Sequence, residues 1–329
     1  MESANPAKNK FALPDKIMEK LDNAELLLRQ GNYQEAIQLY EEVHQAYPEE
    51  ESVLLMLAWA HYDSGAAAKA ISYLEILLQQ ELQRKVWTGF AFDELVRIYK
   101  QEKNFPKLVE ICTRAVTAQP DDTGLLIELG NAYLQAGEAK DACRIFEKIV
   151  HLENDNPTFY CLLGEALFAA GQTGKSEESY LHAAAIDPEQ VDRYYFQIAD
   201  LFAKNGRYED AQRLLKKCVE ANPASPVYHC CLGDALVGLG QIQEALSEYK
   251  AAAHEDRAGA GAYYNRFGNT LARAKHYREA VQIFRIALEI EPDNSVYARH
   301  LTLSYEALKS LSEKAKTAND DNKHGGNSF

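Results

Sequence analysis

The sequence predicts an all-α protein assembled from a run of short helix pairs. Three observations carry that expectation. Leu, Ala, Glu, Gln and Lys dominate the 329 residues and only ten prolines interrupt them, which favours helices joined by brief turns. A fragment beginning at Gly31, GNYQEAIQLYEEVHQAYP, recurs from Asn205 as NGRYEDAQRLLKKCVEANP and from Lys275 as KHYREAVQIFRIALEIEP. Aligned on small residues and prolines, units begin near Ile17, Glu51, Gly89, Thr123, Pro157, Asp192, Pro226 and Gly261, at spacings of 34, 38, 34, 34, 35, 34 and 35 residues. A fixed period of this kind belongs to stacked repeats, in which each unit buries its apolar face on its neighbours.

Each unit reads as two helices. In the fourth, Leu126, Leu129, Gly130 and Tyr133 fall three to four residues apart and share one face of a first helix; Ala142 and Phe146 mark the second. The eighth repeats the scheme with Tyr264, Phe267 and Gly268, then Ala280, Phe284, Ala287 and Pro292. A small residue (Ala24, Ala58, Gly130, Gly164, Ala199, Gly233, Gly268) sits where the two helices must approach closely, and Ala36, Ala70, Ala142, Ala211, Ala245 and Ala280 match it from the second helix. Gly130, Gly164, Gly233 and Gly268 are expected to accept Ala but not Leu. Pro48, Pro120, Pro188, Pro223 and Pro292 close second helices, because proline cannot donate to a continuing turn.

These motifs resemble the tetratricopeptide repeat, whose period is about 34 residues. The resemblance implies a right-handed superhelical solenoid of about eight helix pairs and spans residues 17–294. Ahead of it lies a leader, 1–16; behind it, 295–311 reads as an amphipathic capping helix and 312–329 as a disordered polar tail. The first unit carries Lys20 and Asn23 at positions that are apolar elsewhere, as suits an end repeat. The third is the weakest: Val96 and Leu108 replace small residues, and extra residues around 82–88 predict a longer helix or looser junction with Trp87 packed across it.

Composition excludes several functions. The formal charge is −14, which opposes general binding to phosphate backbones. Net acidity and the lack of a repeated base-reading pair also oppose RNA binding through helical repeats. The charge is uneven: residues 257–316 hold ten Lys and Arg against six Asp and Glu, whereas residues 1–256 hold 24 against 41. The longest apolar run, from Val53 to Ala60, is too short for membrane insertion, and the N-terminus has no signal-peptide core. Six cysteines without CxxC spacing point to reduced, buried thiols and a cytoplasmic protein. His229-Cys230-Cys231 is the one cluster that suggests metal, but the further ligands zinc needs are missing. No phosphate loop, HExxH or GxSxG motif is present. The reading is a non-enzyme with no cofactor and no metal.

The resemblance also implies that first helices line a concave groove. One groove column reads Glu25, Trp59, Arg97, Asn131, Glu165, Asp200, Asp234, Asn269. Carboxylates in Glu165, Asp200 and Asp234 would accept from Lys, Arg or backbone donors of a ligand, and Asn131 and Asn269 match the asparagines with which some family members grip peptide backbone. The paired Lys, Asn and Arg of the co-chaperone branch are absent: the first three units offer Asp22, Glu25, Met56, Trp59, Asp93 and Glu94. At the other end Asn265, Arg266, Asn269, Arg273, Arg299 and His300 form a basic, amide-rich group suited to an acidic segment or a terminal carboxylate. The expected function is a protein-interaction scaffold or adaptor whose partner is a protein or peptide, basic along its middle with an acidic end. Self-association stays open. The alternatives are a co-chaperone or secretion chaperone that binds clients, and a non-catalytic substrate-delivery subunit of an enzyme complex.

Overall fold

Amphipathic segments of 12 to 16 residues, each ended by a tight turn, give the chain its paired helices. The computed structural model describes residues 13–48, 50–83 and 89–324, with side chains described as far as residue 313. Seventeen α-helices and no strand occur among the described residues, and none of those helices is long and apolar enough to cross a membrane. The chain divides into two compact units, residues 1–152 and 153–329.

The first unit holds α1 (Asp15–Arg29), α2 (Tyr33–Ala46), α3 (Glu51–Asp63), α4 (Ala67–Leu82), α5 (Phe90–Gln101), α6 (Phe105–Ala118), α7 (Thr123–Ala136) and α8 (Ala139–Leu152). Odd and even neighbours pair, and two apolar cores run through the stack, one around Tyr40 and Leu57, the other around Leu95 and Ile111. At 16 residues α4 is two longer than the other second helices, as the insertion predicts. The Trp87 contact expected there lies outside the described residues.

The second unit holds α9 (Pro157–Ala169), α10 (Thr173–Ile186), α11 (Val191–Lys204), α12 (Tyr208–Ala221), α13 (Pro226–Gly238), α14 (Ile242–Glu255), α15 (Ala260–Arg273), α16 (Tyr277–Ile290) and α17 (Ser295–His324) around a single core. Its last helix differs from expectation. Thirty residues long, α17 runs well past 311, so the segment expected to be disordered continues the helix as far as His324. The physical reason is composition: Glu, Lys and Ala carry residues 313–318, and no glycine or proline follows before Gly325.

The turn within each pair depends on one residue at positive φ. Gly31, Gly65, Gly137, Gly171, Gly206 and Gly240 hold it at φ between 73° and 83°, and Lys103 (54°) and Lys275 (66°) hold it in the third and eighth repeats. The next residue then donates back into the helix, as from Asn32 N–H to the Leu27 carbonyl at 2.9 Å.

The small-residue positions follow a volume rule. A β-carbon on Gly130 would lie 2.5 Å from the Phe146 ring; on Gly164, 2.6 Å from Tyr180; on Gly233, 2.7 Å from Tyr249; on Gly268, 2.6 Å from Phe284. The expectation that these glycines accept Ala is therefore corrected: the aromatic ring occupies the space. In the second, third and sixth repeats, where the first-helix residue is larger, its partner sixteen residues on is smaller: Ala58 with Leu74, Val96 with Cys112, Ala199 with Leu215. The first repeat departs from the rule, with a buried Ala24 sixteen residues before a buried Tyr40. In the fifth repeat Ser176 takes the second-helix small position, and its buried hydroxyl donates to the Gly164 carbonyl at 2.7 Å.

Candidate functional site

First helices commit one face to their own partners, which leaves the opposite stripe free to meet the next first helix. In the second unit that stripe begins with Glu165 on α9 and Asp200 on α11. Asp200 pairs with Lys204 one turn on, at 2.5 Å. Glu165 is exposed, yet partial desolvation raises its carboxyl above the ordinary range, with Lys204 opposing. Lys204 thus offsets two of the three carboxylates expected to receive a cationic ligand.

The third, Asp234 on α13, is engaged internally. Its Oδ2 accepts from Arg266 Nε at 3.0 Å and Nη2 at 2.6 Å; its Oδ1 accepts from Tyr249 at 2.5 Å and Thr270 at 2.6 Å. Tyr249 and Thr270 are buried, so Asp234 satisfies hydroxyls that would otherwise lack a partner. Burial, and then Asp234, push the Tyr249 phenol well above its ordinary value. Desolvation of Arg266 is outweighed by Asp234, which holds the guanidinium charged. The carboxylate run and the basic end are therefore joined by an ion pair, and neither Asp234 nor Arg266 stands free for a ligand.

What remains is a pocket of about 720 Å³ lined by Asn265, Arg266, Asn269, Ala272 and Arg273 of α15 and by His300 of α17. Two interactions hold its lining residues in place: the Asp234–Arg266 ion pair and the 2.8 Å hydrogen bond between His300 Nδ1 and Asn265 Oδ1. With its oxygen engaged there, the Asn265 amide retains its nitrogen as a donor. Arg273 donates to the Thr270 hydroxyl at 3.1 Å and forms no ion pair among the described residues; Asn269 is half-buried. The walls thus present one guanidinium without a carboxylate and two amides, a set of donors that recognises carboxylate or other acidic groups. Five of the six residues in the basic, amide-rich group meet here; Arg299 is exposed beside His300 but outside the lining. Asn131 belongs to α7 of the first unit, half-buried.

Thr270 and Tyr249 escaped the sequence reading, because Tyr249 falls at a packing position and nothing in the pattern marks Thr270. Lys204 was missed as well, although it follows Asp200 at the i, i+4 spacing that lets helix charges pair. His229 proves structural: its ring nitrogens lie 2.7 Å from Glu248 Oε2 and 2.9 Å from the Pro223 carbonyl. Among the described residues no His, Cys, Asp and Glu converge into a metal-binding group. The six thiols are free, five of them buried, and burial pushes Cys112, Cys161, Cys218 and Cys230 up to about 12.

Three family models described as tetratricopeptide repeat match the chain, at residues 27–89, at 192–235, and at 111–191 with 231–295. Among curated proteins, the small glutamine-rich tetratricopeptide repeat-containing protein 2 of Mycosarcoma maydis is 36% identical over 104 residues, covering 32% of this chain and 29% of its own. The human protein O-mannosyl-transferase TMTC3 is 24% identical over 226 residues, 68% of this chain and 22% of its own. The TPR repeat-containing protein YpiA of Bacillus subtilis (strain 168) is 21% identical over 274 residues, 82% of this chain and 63% of its own. The chain thus spans less than a third of the length of the first two. Among solved structures, a crystal structure of the MamA protein matches with TM-score 0.40 and 20% identity over 51% of this chain and 91% of its own. YrrB, described as a TPR protein with an unusual peptide-binding site, matches with TM-score 0.36 and 20% identity over 58% and 97%. Repeat motifs, helix pairing and family models agree along the array, and the chain belongs to the tetratricopeptide repeat family.

Proposed function

We propose that this chain is a non-catalytic scaffold that seats an acidic segment of a protein partner in the pocket between α15 and α17. The general role, holding other proteins, is that of its family. The acidic specificity rests on one observation: among the described residues Arg273 has no carboxylate partner and stands beside the amides of Asn265 and Asn269. Six free thiols, five of them buried, support a reducing compartment for this work.

Fluorescence anisotropy with a labelled Asp- and Glu-rich peptide tests the reading. Such binding rests on few charges, so modest affinity and strong salt sensitivity are expected. Arg273→Gln and Asn269→Ala should each weaken it severalfold, while Arg299→Gln, outside the lining, should change it little. Equal binding by the wild type and both lining variants would refute the assignment. Displacement of the peptide by an unfolded client protein, such as reduced lactalbumin, would favour the client-binding alternative instead.

A further inference from the structure

Trp59 of α3 is 46% exposed, on a stripe where every other repeat places a charge or an amide: Glu25, Arg97, Asn131, Glu165, Asp200, Asp234 and Asn269. The exposed part of a large apolar ring contributes nothing to folding, and exposed aromatics gathered in a patch mark interaction surfaces. Trp59 is not alone. Leu55, Met56 and Tyr62 lie four and three residues before it and three after, on the same side of the helix, each half-buried. The neighbouring α5 closes one flank: the Arg97 guanidinium lies 4.9 Å over the Tyr62 ring, and the Tyr62 hydroxyl donates to Gln101 at 2.7 Å. Trp, Tyr and Met are the residue types that anchor protein partners.

The charge around this patch selects the partner. Three bases on this side already have an acid: Arg97 with Glu94 at 2.6 Å, Lys100 with Glu128 at 2.7 Å, Arg29 with Glu25 at 2.6 Å. Asp63, one turn beyond Trp59 on the same side, is exposed and in no ion pair among the described residues. On α5, partial burial together with Glu81, Glu128 and Glu94 holds the Asp93 carboxyl above its ordinary range, a mark of surplus negative potential. The whole unit, residues 1–152, carries 16 Lys and Arg against 24 Asp and Glu.

We infer that the Trp59 face of the first unit docks a partner segment in which an Arg or Lys adjoins an aliphatic residue. The cation lies on the indole, as Arg97 already lies on Tyr62, with the Asp63 carboxylate one turn away; the aliphatic side chain rests on Leu55 and Met56. An acidic segment would meet the Asp63 carboxylate where Arg29, Arg97 and Lys100 are already matched by acids. A two-fold pairing of this face with a second copy would bring like charges together. The site is independent of the pocket in the second unit and stands whether or not that pocket binds an acidic peptide.

The test uses the full chain with Trp87→Phe, so that Trp59 is the sole indole reporter. The probe is an acetylated peptide of alternating Leu and Arg, with Leu/Glu and Gly/Arg versions as comparators. Saturable change in Trp59 emission is expected with Leu/Arg, weaker change with Gly/Arg and none with Leu/Glu. In anisotropy with the labelled Leu/Arg peptide, Trp59→Ala should weaken binding about tenfold, Trp59→Phe less, and Asp63→Asn severalfold, the last effect fading in about 0.5 M salt. Helicity should be unchanged in all three, and melting lowered at most modestly in Trp59→Ala, because about half of that side chain is exposed. Unchanged affinity in Trp59→Ala would overturn the inference, as would Gly/Arg binding as tightly as Leu/Arg, which is charge attraction alone. Loss of a dimer in Trp59→Ala with peptide binding intact would make the face a self-interface and overturn it equally.

Discussion

Replacing Gly130 by Ala sets two effects of known size against each other. In an exposed helix Ala is better than Gly by about 1 kcal/mol. Here the new β-carbon falls 2.5 Å from Phe146 Cζ and 2.6 Å from Cε1, whereas carbon atoms prefer about 3.5–4.0 Å. The ring must retreat by roughly 1 Å to restore contact distance, and at 0% exposure it has no open side to retreat into. Overpacking of a well-filled core costs about 1–3 kcal/mol, so the loss matches or outweighs the propensity gain, with a net cost of about 0–2 kcal/mol. The other repeats supply the remedy, since Ala58 faces Leu74 and Ala199 faces Leu215. Phe146→Leu alone leaves a void; combined with Gly130→Ala it recreates that pair. The double variant should be no less stable than Phe146→Leu, a favourable coupling of about 1 kcal/mol or more. Because repeat arrays unfold in parts, native-state hydrogen exchange at amides of α7 and α8 is the suitable assay. Additive effects, or a Gly130→Ala variant more stable than wild type, would refute the volume rule.

Three further outcomes follow from the geometry. Asp234→Ala should destabilise the second unit by about 2–4 kcal/mol, because it strands the buried Tyr249 and Thr270 hydroxyls, and Asp234→Asn should cost less; urea titration distinguishes them. Lys275→Gly should raise stability by about 0.5–1 kcal/mol in the same titration, since a non-glycine residue at φ 66° carries strain that glycine lacks. His61, 3% exposed with Nε2 unpartnered, has its pKa lowered from 6.5, chiefly by burial with Lys69 adding and Glu41 opposing. A lowered value contributes stability above the unfolded pKa that is lost as pH falls through the folded one, so melting between pH 7 and 5 should drop less in His61→Leu than in wild type.

Helix pairs were legible because their signals repeat. A period read eight times averages out the ambiguity of any one segment, and each proline stop lies two residues beyond the end of a second helix. The eight positive-φ turn residues keep the same spacing as the repeats, yet Lys103 and Lys275 hid that column, because lysine gives no hint of a left-handed backbone. Misjudging the glycines had a related cause. Sequence shows that Gly130 is small but not that Phe146 fills its space. At the candidate site, helical register placed Asn265, Asn269 and Arg273 on one face of α15, and the repeat period set His300 of α17 at the matching position. Which charges remained for a ligand was not legible, because the contacts of Asp234 with Arg266, Tyr249 and Thr270 cross between helices 15 to 36 residues apart in the chain.

The most direct test of acidic-segment binding is a charge exchange at Arg273. Wild-type protein should bind a labelled Asp- and Glu-rich peptide and reject its Lys-substituted counterpart. Arg273→Glu should lose the acidic peptide and gain the Lys version, each change about tenfold or more, because a like charge in the wall repels as strongly as an opposite one attracts. Unaltered preference for the acidic peptide in Arg273→Glu would contradict the assignment of this pocket as the place where a partner is held.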